Sequence, residues 1–135
     1  TRNLKVSEFL PLDELENIQL YNLTKNISDF EFEIFKRNKV INVAKYVNNF
    51  SDTAAAIANC DIVITSDNCI LNLAGALGIK TFALFNWVYA YRYFDLSGND
   101  IVWYKNVKPY ICDDINNWSS VIKPVVNDIR KLIKG

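Results

Sequence analysis

Ser66, Asp67 and Asn68 follow directly on the apolar run DIVIT, and a second stretch with helical spacing, Asn68 to Leu77, starts at the same point. A helix start leaves backbone N–H groups unpaired and carries the positive end of the helix dipole, so it suits an anion such as a phosphate. Asp67 is placed to cap that helix, and capping and ligand positioning coexist, because an ordered helix start is what presents the amides. Asn68 and Asn72 lie one turn apart and share a face. Leu71, Ala74 and Leu77 take the core-facing stripe, which leaves the asparagine face either to a ligand cleft or to solvent. An asparagine there can hydrogen-bond a phosphate or a sugar hydroxyl but carries no charge.

Other side chains offer related chemistry. Lys25 follows the run NIQLYNLT and is either a solvated loop lysine or a cation placed to stabilise a diphosphate leaving group. Ser51, Asp52 and Thr53 stand at the start of a helix over Phe50 to Ala58, as caps first and donor contacts second. Trp87, just after the apolar run Thr81 to Phe85, either packs or stacks on a base or sugar. Arg92 is flanked by Trp87, Tyr89, Tyr91, Tyr93 and Phe94, and either stacks on those rings or meets the donor. No catalytic residue is assigned.

The elements that must position these groups alternate. Strands are expected over Asn17 to Leu23, Lys39 to Ala44, Asp61 to Thr65, Thr81 to Phe85 and Ile101 to Trp103. Helices are expected over Ser28 to Asn38, with Phe30, Ile34 and Phe35 on one face, over Phe50 to Ala58 with an alanine-rich face, and over Asn68 to Leu77 with Gly78 as left-handed terminator. A last helical pattern runs from Trp118 to Ile133, with Pro124 beginning or kinking a helix. Strands apolar on both faces and separated by helices imply a parallel sheet covered on both sides. The predicted fold is α/β, a three-layer Rossmann-like domain. In such sheets ligands bind beyond the carboxyl ends of the strands, which makes Lys25, Asp67, Asn68, Asn86 and Trp87 neighbours by topology.

Composition narrows the classes of function. The chain has 135 residues, half of them hydrophobic, enough for a single domain over residues 1–135. Fifteen basic residues balance fifteen acidic ones without a basic block, so neither nucleic acid nor an anionic membrane is expected as a partner. Apolar runs are of strand length and the first residues lack a signal-peptide pattern, so no transmembrane segment and a soluble, cytoplasmic protein are expected. Cys60, Cys69 and Cys112 fit neither a disulfide framework nor a zinc ligand set and read as buried free thiols. The turn TSDN lacks the glycines of a dinucleotide fingerprint, which argues against an NAD domain.

The stretch FSDTAAAIANCDIVITSDNCILNLAGALGIKTFALF resembles the sugar-nucleotide-binding half of heptosyltransferase-like glycosyltransferases of the two-domain GT-B architecture. It is especially similar to the transferase domain that follows tetratricopeptide repeats in many bacterial proteins. The similarity continues through WVYAYRYFDLSGNDIVWYKNV, which matches an aromatic segment and a later W-Y pair at Tyr91, Arg92, Tyr93, Trp103 and Tyr104. Upstream, Arg2 and IQLYNLTKN resemble a strand ending in a lysine-bearing turn, with Lys25 in the lysine position. The resemblance implies a carboxy-terminal, donor-binding domain that takes a nucleoside-diphosphate sugar and passes the sugar to an acceptor. It implies no cofactor and no metal, with phosphates held by backbone amides and a basic side chain.

The chain departs from that pattern where it matters chemically. Asn68 stands where the family usually has Thr, Asn72 where it usually has His, and there is no histidine anywhere. Asparagine cannot shuttle a proton, so a role carried by that histidine is lost. The family's fold also needs an amino-terminal half that 135 residues cannot include, and turnover by this chain alone is not expected. Two readings follow: the donor-binding domain of a glycosyltransferase, or a degenerate glycosyltransferase-like domain acting as a non-catalytic interaction or regulatory module.

Overall fold

Runs of β-branched and aromatic residues bounded by Asn, Asp and Gly give short strands, and alanine- and leucine-rich stretches between them give helices. The computed structural model describes residues 6–25, 27–66, 69–86, 104–114 and 117–134. After a 3-10 segment, Val6–Glu14, come β1 (Tyr21–Asn22), α1 (Asp29–Arg37), β2 (Ile41–Asn42), a 3-10 turn (Ala44–Tyr46), α2 (Phe50–Ala58) and β3 (Ile62–Ser66). They are followed by α3 (Cys69–Ala76), β4 (Lys80–Phe85), β5 (Val107–Ile111) and α4 (Ser119–Lys134).

Among the described residues every strand pair is parallel. The strands β3, β4 and β5 form one sheet in that order, with Ser66 opposite Leu84 and Phe85 opposite Ile111, and β1 pairs with β2 in a two-stranded sheet. The central strand β4 is buried from Thr81 onward and serves both faces. Phe82 and Leu84 meet Val121, Ile122 and Val125 of α4, Leu12 of the first segment and Leu15 just after it. Ala83 and Phe85 meet Leu71 of α3. Helices therefore cover both sides of the sheet, and the chain is α/β and Rossmann-like, as its apolar strands predict. A third cluster, Ile57, Val63 and Ala74, locks α2 and α3 onto β3, and Leu23 and Ile70 pack against it. Among the described residues no helix is long and apolar enough to cross a membrane.

Several elements differ from the sequence-based expectation. The first two strands shrink to two paired residues each. Asn17 takes a left-handed φ of 65° and Lys39 one of 55°, which bends the chain just before each ladder. Phe30 is 71% exposed, since α1 buries only Ile34 and Phe35. Leu77 is 42% exposed because α3 ends at Ala76. Gly78, with φ of 74°, does terminate α3 as expected: its N–H donates to the Gly75 carbonyl and the Ile79 N–H donates to the Ala74 carbonyl.

Pro124 does not begin a helix but lies inside α4 on its exposed side, where water can satisfy the carbonyl that a proline leaves unbonded. The strand Val107–Ile111 was not expected from its sequence, VKPYI. The strand expected over Ile101 to Trp103 lies outside the described residues.

Candidate functional site

Because the three sheet strands are parallel, their carboxyl ends gather Ser66, Asn86 and Cys112 along one edge. The ladder is extended there by the Cys112 N–H, which donates to the Phe85 carbonyl at 2.9 Å. Ser66 is half-buried, and α3 begins three positions later at Cys69. Asp67 and Asn68, the two residues between, lie outside the described residues, as do Trp87, Arg92 and Arg2. The sheet thus delivers the strand-to-helix turn to the edge where Rossmann-like folds bind ligands.

Asn72 is half-buried on the first turns of α3, and its partner comes from far along the chain. The Tyr104 hydroxyl donates to Asn72 Oδ1 at 3.4 Å, across 32 residues. Below that contact the Tyr104 ring lies against Gly75, so closely that a Cβ on Gly75 would stand 2.5 Å from its Cγ. The ring also packs against Leu71, Ala83, Phe85 and Val107. Asn106 fixes the turn behind it, its Nδ2 donating to the Ile79 carbonyl at 2.6 Å and to Ala74 at 3.5 Å. Asn72 therefore meets an aromatic side chain. Sequence reasoning placed Asn72 on a usable face and noted Tyr104 only within a motif; neither Gly75 nor Asn106 carried a local signal.

The lysine and the α2 start form a separate group. Asn22, buried at the end of β1, donates through Nδ2 to Asn42 Oδ1 at 3.0 Å and to the Thr24 carbonyl at 2.9 Å, and its Oδ1 accepts from the Thr24 N–H. These bonds shape the turn that carries Lys25. The Lys25 side chain is exposed, and its ammonium donates to the Val47 carbonyl, just ahead of α2.

Of the caps expected at α2, Ser51 makes no capping bond among the described residues, while Asp52 accepts a backbone N–H from inside the helix. Asn49 is the N-cap, its Oδ1 accepting from the Asp52 N–H at 2.8 Å, while the Asp52 carboxylate reaches back to the Asn48 N–H at 3.0 Å. Asp52, the third helical residue, thus completes a variant of the capping box in which its carboxylate accepts from the residue before the N-cap, and Thr53 Oγ1 donates to the Asn49 carbonyl. Ser51 is exposed. The two groups share one support, since Leu23, two residues before Lys25, and Ile70, near the start of α3, rest on the same cluster.

A third helix start reaches the sheet edge and closes on itself. Ahead of α4, Asn117 donates to Asp113 Oδ1 at 2.6 Å, Ser119 Oγ donates to Asn117 Oδ1, and the Asp113 N–H donates to Ser120 Oγ. The Asn-Asn-Trp-Ser-Ser run is a readable capping signal. The thiols are not uniformly buried as expected: Cys112 is buried, Cys60 half-buried and Cys69 exposed. Burial pushes the Cys60 and Cys112 thiols up, helped at Cys60 by the negative charge of Asp61, which keeps both protonated and poorly nucleophilic. Among the described residues no group of three or more His, Cys, Asp or Glu converges as a metal site.

No protein-family model, curated protein or solved structure matches this chain.

Proposed function

We propose that the chain is the nucleoside-diphosphate-sugar-binding domain of a glycosyltransferase of GT-B type, with the sugar passed to an acceptor in concert with a second Rossmann-like half. The observation that carries the reading is the parallel β3, α3, β4 unit. Its first strand ends at Ser66 on the carboxyl edge of the sheet and turns into a helix at Cys69. Backbone amides at such a turn bind phosphate without a metal. In this reading Ser66, Asp67, Asn68 and Asn72 meet the diphosphate and Lys25 supplies positive charge after exchanging its Val47 contact. Ser51, Asp52, Thr53, Trp87 and Arg92 are secondary donor contacts, and the capping bonds of Asp52 and Thr53 make those two the weaker candidates.

A second reading, a degenerate domain that serves as a non-catalytic module, is favoured by one observation. The position at which the family usually has histidine is an asparagine engaged by Tyr104, in a chain without any histidine. Titration of the 15N-labelled chain with uridine diphosphate and other nucleoside diphosphates separates the two. The donor-binding reading expects a dissociation constant around millimolar, about 4 kcal/mol, since one Rossmann half supplies only part of a cleft. Shift changes should concentrate in the turns after Leu23, Ser66 and Phe85. An unchanged spectrum at tens of millimolar nucleotide rejects donor binding and leaves the module.

A further inference from the structure

We draw no further inference here: the strongest candidate, the exposed apolar face of the β1–β2 sheet on which Tyr21 stands beside Ile41, carries nothing, because nothing in the structure shows what covers it.

Discussion

Gly75→Ala is the sharpest test of the packing at α3, because the sign of its effect depends on a residue far along the chain. In an ordinary helix interior this change stabilises by about 0.5–1 kcal/mol, from lower chain entropy in the unfolded state and better helix propensity. Here the new methyl group would stand 2.5, 2.6 and 2.9 Å from Cγ, Cδ2 and Cδ1 of Tyr104, distances that real carbon contacts do not sustain. The clash involves the root of the ring, so rotation about the side chain relieves little of it, and the ring must withdraw from Ala83, Phe85 and Val107. Overpacking of this kind costs about 1–3 kcal/mol. Subtracting the propensity gain leaves a net loss of about 1 kcal/mol, within bounds of about 0 and 2.5 kcal/mol.

Removing the ring first, as Tyr104→Ala, opens the notch, and Gly75→Ala should then stabilise by about 0.5–1 kcal/mol. Urea unfolding followed by circular dichroism, with the slope unchanged between variants, gives the four free energies. Stabilisation by Gly75→Ala with Tyr104 in place would refute the packing and the ring position with it.

Other expectations rest on single contacts. Asp128 accepts from Lys108 Nζ at 2.8 Å and from the Tyr110 hydroxyl, and the hydrogen bonds from Lys108 and Tyr110 hold its carboxyl below the usual range. A depressed carboxylate contributes stability that is present above the unfolded value, near pH 4, and lost as pH falls through the folded one. Asp128→Asn should therefore cost about 1 kcal/mol at pH 7, modest because Lys108 is more than half exposed, and the difference from the parent should vanish by pH 2 in urea titrations. Tyr110 is the converse case. Burial, then its bond to Asp128, raises the phenol's pKa, so its share of stability is full below about pH 10 and falls above it. The ultraviolet difference between parent and Tyr110→Phe should show no phenolate from Tyr110 until the protein unfolds. At α2, Asn49→Ala should lower stability by about 1 kcal/mol and Ser51→Ala by less than about 0.5, as thermal unfolding will register; the reverse order would return the cap to Ser51.

Much of the architecture was legible because its causes are local. The strand β3, the helix α3 with its Gly78 stop, and β4 follow from an apolar run, a helical period and a residue that tolerates positive φ, all within 25 residues. The strand β5 was not, because Lys108 and Pro109 interrupt any apolar pattern. Pairing with β4 makes it a strand, and among the described residues it is an outer strand of the sheet, where a proline is tolerated. The misread cap at α2 had a readable signal: Asn49 precedes Asp52 by three, the spacing of a capping box, with Asp in the place usually held by Glu. For Phe30 the helical period alone was insufficient. The angular width of the buried stripe on α1 depends on what packs against it, and only Ile34 and Phe35 are covered.

The candidate site divides along the same line. Ser66 is positioned by sheet register and Asn72 by helix period, both written in adjacent residues, whereas Tyr104 reaches Asn72 only because β5 pairs with β4 and brings the residues before Val107 over α3. Lys25 depends on a third kind of cause, a turn shaped by the buried Asn22, and its ammonium rests on the carbonyl of buried Val47. Attraction from an exposed lysine fades over about 8 Å at physiological salt, while amides at a helix start keep a fixed direction and pay no side-chain entropy on binding. On the donor-binding reading, the class of ligand is then set by the sheet edge and the start of α3, which the fold supplies. Lys25 adjusts how tightly it is held.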